Sequence, residues 1–344
     1  MLVIFVRPQM FTCFLRARIV AGTVLAFCLG AVHGQTFSFG LWGDMPYQRA
    51  GDGPKIPALL KSINQSDIAF SIYDGDIKDG GSVCSNDIYA AALGMFAQLK
   101  KPAVYVPGDN EWTDCHRLNN GGYDALERLA YLRKTMFPTA GSLGRQKMAL
   151  AHQGQPGENF YENTRFSYHR IVFAGLNIPG SNNNHILDEK DCFARSARTA
   201  LQCEASNAEY RERDAANVVW MRQAFQAAKK QKAPGIVLVI QADPGFDLPE
   251  TPATDESKEP RVSGYRNFME MLVLETEQFK GQVLFVHGDT HFFKLDKPLY
   301  SPDKLLPNFT RLQTFGSPQI HWVRVTVNPK SANVFTVQPV IVKQ

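Results

Sequence analysis

The chain has 344 residues, 44% hydrophobic and 20% charged, with a formal net charge of +4. That balance supports a sizeable buried core and excludes a disordered or fibrous chain. The basicity belongs to the first 34 residues, where Arg7, Arg16 and Arg18 precede the apolar run IVAGTVLAFCLGA and no acid occurs.

Residues 1–34 read as a secretory signal peptide with cleavage near Gly34: a charged start, a short apolar run and small residues before a polar stretch. The run is short of the ~20 residues a membrane-spanning helix needs, and the bulky Phe27 argues against lipidation at Cys28. Losing three arginines takes the net charge from +4 to +1. Nothing then points to a nucleic-acid partner. No membrane contact is expected beyond export, to the periplasm or the cell exterior.

The rest, residues 35–344, reads as one domain. FSFGLWGD (37–44) precedes a helix near 55–65, and IAFSIYDGD (68–76) precedes NDIYAAALGMFAQLK, in which Ile88, Ala92, Met95 and Leu99 share one helical face. PAVYVPGD and a helix near 122–136 continue the strand and helix rhythm of a parallel sheet. A hairpin-like RFSYHRIVFAGLNI follows, then a long helix near 207–230, the run GIVLVIQADPGF, a helix near 263–279 and GQVLFVHGDTHFF. The tail from about 309 is strand-rich. Polar insertions at 141–159, 180–206 and 247–260 are lids or tolerated surface.

Four cysteines remain after the leader: Cys84, Cys115, Cys192 and Cys203. An even number without C-x-x-C spacing favours disulfides over thiolate metal sites. Of the three possible connectivities, Cys84 with Cys115 and Cys192 with Cys203 is preferred.

Gly-Asp occurs five times where chance at this composition gives about 1.4. Four cases, at Asp44, Asp76, Asp109 and Asp289, follow apolar strand candidates. Loops leaving the carboxyl ends of parallel strands meet at one edge, so these carboxylates are expected to converge. Ordinary turn chemistry explains one or two such pairs more easily than four. Converging carboxylates raise one another's pKa unless a cation lies between them. His287 and His291 flank Asp289 and bring imidazoles to the same edge.

The series GDMPY, GDIKD, GDNEW, QADP and GDTH resembles the five blocks of the calcineurin-like metal-dependent phosphoesterases, D-x-H, GD-x-x-D, GN-H-[DE], H-x-P and GH-x-H, in order. The resemblance spans nearly the whole mature chain. It implies a four-layer α/β/β/α sandwich, two mixed sheets flanked by helices, and two divalent metals hydrolysing a small phosphorylated substrate. It implies Asp44, Asp76, Asp109 and His291 as metal ligands, with Asp76 bridging. Asp289 and Gln241 stand in for lost histidines.

The departures are specific. Pro46, Asn110, Ala242 and Asp289 stand where the family carries imidazoles. Oxygen-rich ligation suits manganese, magnesium, iron or calcium better than zinc. Asn110 is expected to contact the phosphoryl group but cannot protonate a leaving group, because an amide does not titrate. His116 and His287 are candidate acids, and Arg117 and Asn182 candidate substrate contacts. Glu111 is expected to support the loop, Trp112 to pack it and Cys115 to staple it. The competing reading is a weak or inactive module of this fold that binds metal or a phosphorylated ligand. A serine esterase is disfavoured because Met45 stands where the GDS nucleophile belongs.

Overall fold

A computed structural model describes residues 35–246, 259–301 and 304–343. The expected leader and most of the third insertion lie outside these residues. The first half of the chain runs β1 (Phe37–Trp42), α1 (Ile56–Gln65), β2 (Ser71–Tyr73), α2 (Asn86–Phe96), β3 (Ala103–Tyr105) and α3 (Ala125–Met136). A short β4 (Ala151–His152) leads into the hairpin of β5 (Thr164–Tyr168) and β6 (Ile171–Gly175). The single turn α4 (Gly180–Asn183), α5 (Glu189–Phe193), the 31-residue α6 (Ala200–Lys230) and β7 (Gly235–Val239) follow. After α7 (Arg266–Glu277) come β8 (Gln282–His287), β9 (Lys294–Asp296), β10 (Tyr300–Ser301), β11 (Lys304–Leu305), β12 (Phe309–Gln313), β13 (Trp322–Val327) and β14 (Phe335–Val340).

Strands β10 and β11 form a separate antiparallel pair, and of the two main sheets one has the order β14-β13-β1-β2-β3 and the other β4-β5-β6-β7-β8-β12-β9. Both are mixed: β1, β2 and β3 run parallel beside antiparallel β13, and β6, β7, β8 and β12 run parallel beside antiparallel β5 and β9. The inner faces meet in an apolar layer that includes Phe39, Ile72, Val104, Phe173, Val237, Leu284 and Val325. Helices α1, α2 and α3 cover the outside of the smaller sheet through Leu59, Phe96 and Leu132. Helices α6 and α7 cover the larger one through Met221, Phe225, Phe268 and Leu272. This is the α/β/β/α sandwich expected from the sequence.

Local chemistry explains the boundaries. In α1 the buried Ile56, Leu59, Leu60 and Ile63 repeat at three- to four-residue spacing, and a proline stands in the first turn. Asp124 caps α3 by accepting from the Leu126 N–H at 2.8 Å. The long helix α6 starts at Ala200 rather than near 207, because Thr199 and Gln202 form a reciprocal capping box. The T-x-x-Q signal lies inside the polar insertion at 180–206. Disulfides join Cys84 to Cys115 and Cys192 to Cys203. Among the described residues, no helix is long and apolar enough to cross a membrane.

Candidate functional site

Asp44 follows β1, Asp76 follows β2, Asp109 follows β3 and Asp289 follows β8, so both sheets deliver carboxylates to one shared edge. The Asp289 N–H donates to both oxygens of Asp44 at 3.2 Å, and the Asn110 N–H donates to Asp76 Oδ1 at 3.1 Å. Asp44, Asp76, Asp289 and His291 adopt left-handed backbone, with φ of 49°, 63°, 69° and 68°. Strained backbone of this kind gathers at functional sites. The glycines before the aspartates have a packing reason. A Cβ on Gly108 would collide with the Asp76 carboxylate, and one on Gly288 with the Asp44 carboxylate.

Neutral donors are threaded between these acids. The Tyr47 hydroxyl donates to Asp76 Oδ2 at 2.8 Å and lies 3.2 Å from His291 Nε2. The Asn110 amide donates to the same Asp76 oxygen at 2.5 Å. The Gln241 amide spans Asp109 and Asp289, at 3.2 Å from each, while its oxygen accepts the Gly180 N–H at 2.6 Å. The Ser181 hydroxyl reaches Asp109 Oδ2 at 2.8 Å and Asp114 Oδ1 at 2.7 Å. Glu111 supports the loop as expected: its Oε1 accepts from the Gly108 N–H at 2.8 Å and the Tyr105 hydroxyl at 2.7 Å.

Burial, reinforced by Asp109 and Asp44, pushes the pKa values of Asp76 and Asp289 well above the usual carboxylate range. Burial also raises the neighbouring Asp74 and the Tyr47 hydroxyl, which remains a donor. Burial opposes the charged form of His291, yet Asp44 and the Ser317 carbonyl hold its pKa above the ordinary value. Buried Lys78 lies within electrostatic reach, with its own pKa lowered by desolvation.

Of the remaining sequence candidates, His116, Arg117 and Asn182 line a cavity beside the acids, and His287 is buried. His116 Nδ1 pairs with Ser196 Oγ at 2.9 Å, and burial with Arg198 and Arg117 nearby pushes it down to about 3. It is neutral at physiological pH and lacks the imidazolium proton a general acid gives up. His287 is fully buried, its ring against Phe246 and Phe285. For the acid role expected of them, His116 has the position, in the cavity wall, but a lowered pKa, and His287 is enclosed. The Gln241 oxygen, the atom expected to serve a metal, accepts the Gly180 N–H, which takes one of its two lone pairs. Asn182 ties its turn to the chain near 263, accepting from the Gly264 N–H at 2.8 Å. Arg117 reaches the site edge, donating to Asp114 at 2.5 Å and to Ser181 at 3.2 Å.

The donor chemistry suits a hard divalent cation: clustered carboxylates, a phenol and one imidazole around too little positive charge. As placed, however, no three His, Cys, Asp or Glu side chains among the described residues form a ready ligand set. Neutral donors lie between the acids instead. Tyr47, Asn110 and Gln241 supply hydrogen bonds where the acids would otherwise face each other, and an ion would displace some of them.

Sequence reasoning missed Tyr47, three residues beyond Asp44 in GDMPY, and Ser181, which a hydroxyl in a left-handed turn did not advertise. It also missed Asp114, whose carboxyl is pushed up to about 7 by burial and by Asp109. Beside the acids opens a cavity of about 640 Å³ whose wall includes Asp289, Asp114, Arg117, Arg195 and Arg198.

No protein-family model matches the chain, and no curated protein matches it in sequence. Solved structures of similar fold include GAP50, the anchor in the inner membrane complex of Plasmodium, at 13% identity and TM-score 0.45 over 90% of each chain. PhoD is similar at 12% identity and TM-score 0.49, over 88% of this chain and 68% of that one. The purple acid phosphatase PPD1 from seeds of yellow lupin, Lupinus luteus, is similar at 13% identity and TM-score 0.47, over 90% of this chain and 54% of that one.

Proposed function

We propose that this chain is an exported, metal-dependent phosphoric ester hydrolase of low turnover, acting on a small phosphomonoester or phosphodiester. The observation that carries it is the convergence of Asp44, Asp76, Asp109 and Asp289 at one sheet edge, with protonation favoured at Asp76 and Asp289. So much buried acid with so little positive charge is what a bound cation relieves. The ordered motif series supports the same reading, and the two disulfides support export.

Asp44, Asp76 and His291, with Tyr47 beside them, would hold one ion, and Asp76, Asp109 and Asp289 a second. Manganese, magnesium, iron or calcium fits this oxygen-rich set better than zinc. A divalent cation supplies charge against the phosphoryl oxygens and lowers the pKa of water. The chain's own residues do the positioning. Glu111 fixes the Asp109 loop, Ser181 holds Asp109, and Asn110 orients Asp76 and offers its amide to a phosphoryl oxygen. The Asn110 amide does not titrate and the His116 imidazole is held neutral by burial, so turnover would favour esters whose leaving group needs no proton.

A second reading is favoured by the interleaved donors: a module that binds a phosphorylated ligand without cleaving it. Metal analysis of the mature protein, with hydrolysis of aryl phosphomonoesters and phosphodiesters measured with manganese and with chelator, separates the two. Chelator-sensitive turnover lost in Asp76→Ala supports the hydrolase. Phosphate binding without turnover selects the module, and neither metal uptake nor phosphate binding sinks both.

A further inference from the structure

The cavity beside the acids has a polarity of its own. Its acidic wall is accounted for: Asp114 is paired with Arg117 at 2.5 Å, and Asp289 accepts from Gln241 at 3.2 Å. Asp243 accepts the Phe246 N–H at 2.8 Å, and Asp191 accepts the Leu187 N–H at 3.0 Å. Of the other cations on the wall, Arg261 pairs with Glu259 at 3.1 Å. Arg195 and Arg198 are different. Neither guanidinium has a hydrogen bond or ion pair among the described residues, and the Arg198 Nε is buried without a partner. Asp191 and Asp114 are within electrostatic reach of the half-buried Arg198 but bond it nowhere among the described residues, so its guanidinium gains most from an anion that bonds it directly.

The backbone under these arginines is unusually constrained. Arg195 and Arg198 lie inside the loop closed by Cys192 and Cys203, while His116 and Arg117 follow Cys115, which is bonded to Cys84. The two stapled loops pair with each other: the Leu118 N–H donates to the Arg195 carbonyl at 2.9 Å, and the Ala197 N–H to the His116 carbonyl at 3.0 Å. Arg117 then connects to the acidic centre through one hydroxyl, Ser181, which itself bonds Asp109 at 2.8 Å. Burial lowers the Arg198 pKa to about 10, still leaving it cationic at neutral pH.

We propose that Arg195 and Arg198, held by the two disulfides, form an anion subsite for a second phosphate on the ligand, so that the molecule bound is doubly phosphorylated. This rests on the reading of the acidic centre as the place where the first phosphoryl group sits. Arginine suits the role because its planar fork binds phosphate oxygens in pairs, which lysine does not reproduce. A cavity of about 640 Å³ is ample for a ligand of that kind.

The test is calorimetric titration of the mature protein with inorganic pyrophosphate and with orthophosphate, in one magnesium-containing buffer. Wild type is expected to bind pyrophosphate more tightly than orthophosphate. Arg195→Ala and Arg198→Ala should each weaken pyrophosphate binding about tenfold or more while leaving orthophosphate within about twofold. Arg198→Lys should recover only part of the loss. Cys192→Ser with Cys203→Ser should lower pyrophosphate affinity in the same direction while α6 persists by circular dichroism.

Pyrophosphate affinity unchanged in both arginine variants overturns the subsite, whatever the hydrolysis assays give. Equal loss for both anions also overturns it, since one phosphate would then explain the contact. If the arginine variants lose pyrophosphate while Asp76→Ala and chelator alter neither turnover nor metal content, the subsite stands and the hydrolase reading falls.

Discussion

The side-chain amide of Gln241 lies 3.2 Å from a carboxylate oxygen of Asp109 and 3.2 Å from one of Asp289, so a single neutral group just past β7 bridges acids that follow strands of two different sheets. Hydrogen bonds to charged groups contribute more than neutral ones. Gln241→Leu removes one bond to each acid, the Asp289 one to a carboxyl that favours its proton, and should destabilise the protein by about 2 kcal/mol in urea unfolding. Manganese should restore more stability to the variant than to wild type. A variant as stable as wild type without metal would show that the two acids do not need the bridge.

The acids also set a pH dependence. Asp74, Asp76 and Asp289 have folded pKa values raised above their unfolded ones, by burial first and neighbouring carboxylates second. Their contribution is fully present below the unfolded carboxylate range near 4 and is lost as pH rises through the folded values. Thermal unfolding after chelator treatment should show a midpoint that falls from mildly acidic pH toward neutral. Added manganese should raise the midpoint more at pH 7.5 than at pH 5. A metal effect equal at both values would contradict this origin.

Elsewhere the sign reverses. Glu162 is fully buried, yet Arg133 at 2.6 Å and Asn177 at 2.8 Å outweigh desolvation and hold its pKa below the ordinary value. Its contribution is present above the unfolded pKa near 4.5 and fades as pH falls through the folded one. Glu162→Gln strands the Arg133 charge and should cost about 3 kcal/mol at pH 7. The difference between variant and wild type should shrink as the pH drops below 4, measured by urea midpoints.

Asn110 tests the chemistry directly. Asn110→His places a titratable group beside Asp76, at the position where the amide now donates at 2.5 Å. Hydrolysis of alkyl phosphates should rise by roughly 100-fold, the low end of general acid assistance, while p-nitrophenyl phosphate changes little. Equal gains on both esters would mean that the substitution altered binding and not proton transfer.

Much of the architecture was legible because it is periodic. Strand runs such as PAVYV and the helical stripe of Met221, Phe225 and Ala228 encode burial one face at a time. The convergence of four carboxylates followed from one topological rule applied to a repeated dipeptide. What stayed hidden was partnership across sequence distance. Tyr47 and His291 meet across 244 positions, and no local pattern marks a phenol as their point of contact. The free guanidinium groups of Arg195 and Arg198 were hidden for the same reason: they stand in a polar insertion, and only the pairing of two stapled loops turns them toward one cavity. His116 and His287 misled because a histidine near a motif looks available until burial is known.

The glycines ahead of the aspartates give the edge an interlocked construction. Gly43 makes room for Asp74, Gly108 for Asp76, and Gly288 for Asp44, each vacancy being filled by a carboxylate from another strand end. The backbone frame is thus keyed by glycines, whereas the side chains that complete the centre are mounted on it. Side chains such as Asn110 and Gln241 leave that frame in place when exchanged, while adding one methyl group at a glycine disturbs two strand ends together. In a mutational scan, tolerance at this edge should therefore follow the backbone keys: Gly108 and Gly288 should accept fewer substitutions than Asn110 or Gln241, although it is the latter whose functional groups touch the acids.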